Sequence, residues 1–326
     1  MRKNVVTGEL VIVAPERARR PRDAQENPKD IPSYARSCPF CPGQEHETPP
    51  PTHVREVDGR WAVRVVPNKF SALAAGGEPW AQHQGLMPRG GAAGPHEVII
   101  EGQNHGARFW QMDPRVRQAV IEAWHHRLSD FYGRPSVKHV ALFKNHGPAA
   151  GGSLTHPHSQ IVGLPAVPGR FEHRRMIAIQ HQMETGRCLM RDVLASEQGG
   201  PRVVLDTDDF LVFVPFAAFS PLHVWIVPKA YGSSFATVKT ATRARLDGVL
   251  SPILQAIDAV GGQPDFNLMV LGGRPESSGD GATQWYISIV GRTTKAAGFE
   301  LGTGMYINPS SPEEQAGLLR TALPET

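Results

Sequence analysis

The chain carries the same succession of elements twice. "HEVIIEG" (96–102) reads as a short buried strand, "DPRVRQAVIEAWHHRLSDF" (113–131) as a helix and "VKHVALFKN" (137–145) as a strand, and the loop "HGPAAGGS" leads into "LTHPHSQIVG". Later, "LHVWIVPK" (222–229), a helical pattern over 238–257, "FNLMVLGGR" (266–274), the Gly/Ser loop "PESSGDGA" and "TQWYISIVG" (283–291) follow in the same order. The offset is 127 residues from His96 to His223, 126 from Phe109 to Phe235 and 128 from Ile161 to Ile289. Five elements at a nearly constant offset mark a duplicated strand–helix–strand–loop–strand unit. The chain is long enough for two such halves, and we place their boundary at 165/166, giving 1–165 and 166–326.

Local signals set the details. Asp113 caps the first helix, Pro114 takes its first position, and Val116, Ala119, Val120, Ala123, Trp124 and Leu128 share a face. The second helix is expected to break at Pro252, because proline lacks the donor its interior position requires. The connection over 165–205 is expected to hold a helix within "RRMIAIQHQMETGRCLMRDVL", and the Pro- and Arg-rich residues 1–60 to form a loop-rich wrapping segment.

The two copies differ in chemistry. The second has Gln284, Trp285 and Tyr286 where the first has His156, Pro157 and His158. On a strand, alternate residues share a face, so His156, His158 and Gln160 are expected to point one way. Pro157 cannot donate to a ladder, which places it at an edge or at the first residues of the strand. "SCPFCPG" supplies a C-x₂-C pair, Cys38 and Cys41, spaced for two thiolates on one Zn²⁺. With no second C-x₂-C, histidines must complete a tetrahedral set, and His105 and His156 are the best candidates. That leaves His158 free beside the loop "KNHGPAAGGSLT", whose glycines and Ser153 suit anionic oxygens. A free imidazole there can attack phosphorus and form a phosphoramidate. Gln160 can donate to a phosphoryl oxygen but cannot act as a base, which favours transfer over hydrolysis.

Composition excludes other classes. The net charge of +3 with mixed signs shows no stripe for a nucleic-acid polymer. No run of about 18 apolar residues suggests a membrane span, and the N-terminus lacks an apolar signal region. Three cysteines argue against a disulfide framework and for a reducing cytoplasm.

Together "VIVAPERARRP", "CPFCPG", "VVPNKFSAL", "HEVII", "FKNHGPAAGGSLTHPHSQI", "VWIVPK" and "GFELGTGMYINPSSPEE" resemble the galactose-1-phosphate uridylyltransferase family, the branch of the histidine-triad superfamily with His-Pro-His-x-Gln. The resemblance implies an α+β fold in which two histidine-triad-like halves form an antiparallel half-barrel with flanking helices. It implies a homodimer and ping-pong transfer of a nucleoside monophosphate between a nucleotide sugar and a sugar 1-phosphate or phosphate. His158 is then the nucleophile, and Cys38, Cys41, His105 and His156 the zinc set. Gln160 and Ser153 are phosphate contacts, Asn145 and Asn68 nucleotide-side contacts, Arg17 and Arg20 phosphate arginines, and Glu300 the sugar-hydroxyl acceptor. There are departures. Gln284 and Tyr286 stand where some members hold a second metal, so that site is expected to be absent. His223 replaces a frequent acidic residue, and Phe299 a tyrosine. "HPHSQ" with "GFELGTG" is closer to members that move an adenylyl group from ADP-glucose to phosphate. A nucleotide hydrolase and a non-catalytic zinc-stabilised nucleotide binder are the competing readings. Dependence on a phosphate acceptor separates the first, and absence of a covalent adduct the second.

Overall fold

The computed structural model describes residues 1–19, 31–74, 86–87, 90–276 and 282–325. In chain order the strands of its large sheet begin with β3 (His53–Val57), β4 (Arg60–Pro67), β5 (His96–Glu101), β6 (His139–His146) and β7 (His158–Leu164), after β1 (Arg2–Lys3) and β2 (Leu10–Val13). The second half supplies β8 (Val203–Asp206), β9 (Phe210–Phe213), β10 (His223–Pro228), β11 (Phe266–Leu271) and β12 (Tyr286–Gly291). Among the described residues these ten form one antiparallel sheet, ordered β3-β4-β5-β7-β6-β11-β12-β10-β9-β8. The second five mirror the first. The central pairing of β6 with β11 joins Phe143 to Met269 and Leu142 to Val270. Adding the 127-residue offset to Phe143 and subtracting it from Met269 gives Val270 and Leu142, themselves partners. The duplication seen in sequence is therefore an approximate two-fold relation about the middle of the sheet.

Helices α1 (Pro114–Tyr132) and α4 (Thr240–Gly261), the repeat's equivalent pair, cover one face. Asp113 accepts from the Arg115 N–H at 2.8 Å, and Pro114 is at the first helical position, as the cap pattern predicts. Val120, Ile121, Trp124 and Leu128 of α1 and Leu246, Leu250, Ile253 and Ile257 of α4 meet Val63, Val65, Ile99, Ile161, Ile226 and Ile287 in one core shared by both halves. Contrary to expectation, α4 runs unbroken through Pro252. The lost hydrogen bond costs about 3 kcal/mol, and the buried Val249, Leu250, Ile253 and Leu254 around it outweigh that by packing.

Two further expectations change. The 165–205 connection holds two helices, α2 (Gly169–Thr185) and α3 (Leu189–Glu197), split at Gly186, whose φ of 72° ends α2 in the left-handed cap only glycine adopts freely. The first residues are not a loop: β2 pairs parallel with β13 (Tyr306–Asn308) near the C-terminus, and β1 pairs with β2. Val6 then packs with Leu189 and Met190 of the α3 helix against Trp225 and Tyr286. Helices α5 (Gly298–Thr303) and α6 (Pro312–Thr321) complete the chain. No helix among the described residues is long and apolar enough to cross a membrane.

The helix layer also buries charge. Arg127 of α1 donates to both carboxylate oxygens of Glu97, at 2.7 and 2.8 Å, with both side chains nearly inaccessible. Replacing one partner of such a pair strands the other, so Arg127→Met is expected to cost roughly 3–5 kcal/mol in chemical unfolding, while the double variant with Glu97→Gln recovers much of it.

Candidate active site

Alternation along β7 divides its residues between the two faces. Ser159 and Ile161 turn to the helix layer, where Ser159 Oγ accepts from Trp124 Nε1 at 2.7 Å. His158 and Gln160 turn the other way, into a cavity of about 470 Å³. β7 lies between β5 and β6, so it is not an edge strand. Pro157 precedes its first residue, and its carbonyl accepts from the Glu101 N–H at 2.9 Å. His156 therefore lies before the strand, not on it.

That position turns His156 toward the cysteines. Its Nε2–H donates to the Gly102 carbonyl at 3.0 Å, leaving Nδ1 as a lone pair 3.6 Å from Cys41 Sγ. His105 Nδ1 stands 3.5 Å from the same sulfur. The donor atoms of Cys38, Cys41, His105 and His156 all lie within 4.8 Å of one another. Tetrahedral coordination at ordinary Zn–S and Zn–N lengths puts neighbouring sulfur and nitrogen about 3.5 Å apart, so the set fits a small tetrahedral cation. Cys38, Cys41 and His156 are buried, and four protein donors leave a tetrahedral ion no position for substrate. Burial pushes the Cys38 thiol up, and a bound cation is what would turn it to thiolate. The Ala35 N–H donates to Cys41 Sγ at 3.4 Å, a contact that suits a sulfur carrying negative charge.

One hydrogen bond fixes the tautomer and orientation of His158. Its Nδ1–H donates to the His156 carbonyl at 2.8 Å, which leaves Nε2 as the lone pair on the cavity side. Burial pushes the imidazole below its usual range and so keeps it unprotonated at neutral pH. The Phe40 ring, inside the C-x₂-C knuckle, packs edge-on to His158 at 5.5 Å between centroids. Beneath the strand, Lys144 Nζ donates to Glu101 at 2.6 Å and to the His158 carbonyl at 3.2 Å.

Asn68, Ser153, His158 and Gln160 line the cavity together. Gly147 and Gly151, with φ of 83° and 84°, turn the loop that delivers Ser153. Asn145 lies on β6 outside the lining, accepting from Asn267 Nδ2 at 2.8 Å. Glu300 accepts from the Ala297 N–H at 2.9 Å and caps α5, and Arg17 is exposed on a short turn of helix at Pro15–Arg19. Neither lines the cavity. Arg20 lies outside the described residues.

Phe40, the Lys144–Glu101 pair and His96 escape sequence reading. Of these, only His96 had a signal: it is the first matched residue of the repeat. His96 Nε2 lies 3.0 Å from Asn68 Nδ2 and 3.1 Å from the Gln160 side chain. In the second copy the equivalent face is closed: Trp225, Val227 and Tyr286 are buried under α2, α3 and Val6, and Gln284 Nε2 donates to the Pro228 carbonyl at 2.5 Å. A larger cleft of about 680 Å³ beside α2 and α3 holds two ion pairs, His181 with Asp192 and Arg202 with Glu197.

The open face, the imidazole and the glycine-rich loop define the class: a nucleotidyltransferase built on a duplicated unit. Comparison with known proteins supplies the family. The profile described as "Galactose-1-phosphate uridyl transferase, N-terminal domain" matches residues 1–168. ADP-glucose phosphorylase of Arabidopsis thaliana is 33% identical over 98% of this chain and 92% of its own. Galactose-1-phosphate uridylyltransferase of Thermotoga maritima is 27% identical over 98% and 97%. The crystal structure of the Arabidopsis thaliana ADP-glucose phosphorylase with bound ADP-glucose superposes with a TM-score of 0.84 at 31% identity, covering 98% of this chain and 97% of that one. The chain belongs to the galactose-1-phosphate uridylyltransferase family.

Proposed function

We propose that the chain moves a nucleoside monophosphate between a nucleotide sugar and a phosphate-bearing acceptor through a covalent bond to His158. The free Nε2 of His158 on the wall of the cavity carries this reading. His158 Nε2 attacks the α-phosphorus, a P–N bond forms, and the P–O bond to the β-phosphate breaks. The sugar 1-phosphate departs with the electron pair. An acceptor phosphate oxygen then attacks the same phosphorus, and the P–N bond breaks to restore neutral His158. Gln160 and Ser153 donate to the non-bridging oxygens, and Asn68 serves the nucleotide side, while Asn145, behind the lining, is held by Asn267. Cys38, Cys41, His105 and His156 would hold Zn²⁺, which would cross-link the 33–48 segment to the residues that follow β5 and precede β7.

The acceptor in the main reading is a sugar 1-phosphate, as in the uridylyltransferases. The second reading is phosphorolysis of ADP-glucose with inorganic phosphate as acceptor. The 33% identity and the ADP-glucose-bound neighbour support it beside the main reading, which the family profile and the Thermotoga maritima relative support. The family pattern supports a cytoplasmic homodimer, in which Arg17 and Arg20 would act at a neighbouring subunit's cavity and Glu300 would accept from a sugar hydroxyl. It also supports a division at 165/166, just past the end of β7.

Intact-mass measurement after incubation with UDP-glucose and with ADP-glucose tests the reading, because the adduct mass names the nucleotide. Adding galactose 1-phosphate, glucose 1-phosphate or inorganic phosphate then names the acceptor. Gln160→Ala is expected to slow transfer by about 10²–10³, the usual loss for one donor to a developing oxyanion. Gln160→His is expected to raise hydrolysis relative to transfer, since it supplies a group titrating near neutrality. Release of free monophosphate at an unchanged rate without any acceptor in the unsubstituted enzyme would replace transfer by hydrolysis.

A further inference from the structure

His96 opens β5 on the face shared by His158 and Gln160, and the transfer chemistry above gives it no part. Its hydrogen bonds determine its protonation. The Phe70 N–H donates to Asn68 Oδ1 at 2.9 Å, so the other end of that amide, Nδ2, faces His96 at 3.0 Å as a donor. His96 Nε2 therefore accepts, and its proton resides on Nδ1. The Gln160 carboxamide lies 3.1 Å from the same Nε2, placed with its oxygen inward. Two acceptors do not bond. Half a turn about the last side-chain torsion keeps the heavy-atom shape and brings the Gln160 NH₂ onto the imidazole.

The second copy reaches the same arrangement independently. His223 stands 127 residues after His96. Trp225 Nε1–H, which can only donate, lies 3.0 Å from His223 Nε2, and Ser288 Oγ is 3.1 Å from that nitrogen. Ser288 stands 128 residues after Gln160. In both copies Nδ1 is buried without a partner among the described residues. With the Gln160 amide so turned, the first copy matches the second in having an Nε2 that accepts from two donors. In the second half the arrangement is sealed under apolar side chains; in the first it borders the cavity and grips Gln160.

We infer that His96 is a positioning residue for nucleotidyl transfer: neutral and protonated at Nδ1, it accepts one amide hydrogen of Gln160 and so aims the other at the phosphoryl oxygen. The inference rests on the transfer reading of Gln160. His96→Gln retains an acceptor oxygen near the position of Nε2, whereas His96→Leu retains none.

The experiment is single-turnover nucleotidylation of His158 with whichever of UDP-glucose and ADP-glucose modifies the unsubstituted enzyme. His96→Leu is expected to slow it roughly ten- to a hundredfold, the scale of a misplaced catalytic contact, with KM little changed. His96→Gln is expected to recover most of that rate. In the Gln160→Ala background, His96→Leu is expected to change the rate by less than about twofold, because the contact it would lose is already gone. Nitrogen-15 shifts of His96 in the unsubstituted protein are expected to show Nδ1 protonated, a readout that requires no variant. An unchanged rate in His96→Leu, a loss confined to KM, an undiminished loss in the Gln160→Ala background, or protonation at Nε2 each overturns the inference. Absence of any adduct in the unsubstituted enzyme overturns the transfer reading, and this inference with it.

Discussion

His158→Asn is expected to abolish the covalent adduct and to slow transfer by roughly 10⁴–10⁶-fold, the range seen when one member of a covalent catalytic apparatus is removed. Asparagine keeps a nitrogen donor close to the position from which His158 Nδ1 reaches the His156 carbonyl, and it fits beside the Phe40 ring. It offers no nucleophilic lone pair at the Nε2 position. Because His158 is not among the four clustered ligands, metal content and melting temperature are expected to stay near those of the unsubstituted protein. The loss is therefore chemical and not structural. A variant that still forms the adduct, or transfers at more than about a thousandth of the original rate, would move the chemistry to another residue.

The second large effect is expected from the metal set. Cys41 is fully buried, close to both His105 and His156, and belongs to the same apolar cluster as Phe40, Val66, Val98 and Ile100. Cys41→Ser is expected to yield protein with little bound zinc. Structural zinc contributes about 10–16 kcal/mol to small domains that fold only with metal. Here the ten-stranded sheet has its own core, so only part of that figure is at stake. The expected loss is local: the 33–48 segment and the turn at His105 become sensitive to protease and exchange their amide hydrogens quickly, while the α1 and α4 layer stays protected. Activity falls with it, because Phe40 and Cys38 form one wall of the cavity. Cys188→Ser, at a half-buried thiol outside the cluster, is expected to change neither metal content nor protection. Stoichiometric zinc in purified Cys41→Ser protein would sink the assignment.

Much of the fold was legible because the signals are local. The α1 cap at Asp113–Pro114 rests on the preferences of two adjacent residues, and the structure has both. Strand alternation is set by covalent geometry, so Ser159 and Ile161 could be assigned opposite faces from His158 and Gln160 before any contact was known. The failures occurred where packing overrode a local preference or where a partner came from far along the chain. Pro252 opposes a helix by itself, yet buried neighbours carry α4 through it. The first residues look like a loop in isolation and become strands only because Tyr306–Asn308 lies beside them.

Two copies, paired imidazoles in one of them alone, and a C-x₂-C pair with two candidate histidines for a tetrahedral cation are all legible in the chain's residues. These follow from residue type, spacing and period, which covalent geometry enforces in any fold. Tertiary structure decided the rest. It set His156 ahead of its strand, where Nδ1 reaches the cysteine, and left His158 with a free Nε2. It closed the second copy's face with α2, α3 and Val6 while leaving the first copy's face open. It brought His96 to Gln160 across 64 residues of chain, and set Glu300 and Arg17 away from the cavity lining. Each depends on which distant surfaces exclude water from one another, and that free energy belongs to the assembled layers and not to any segment of the chain.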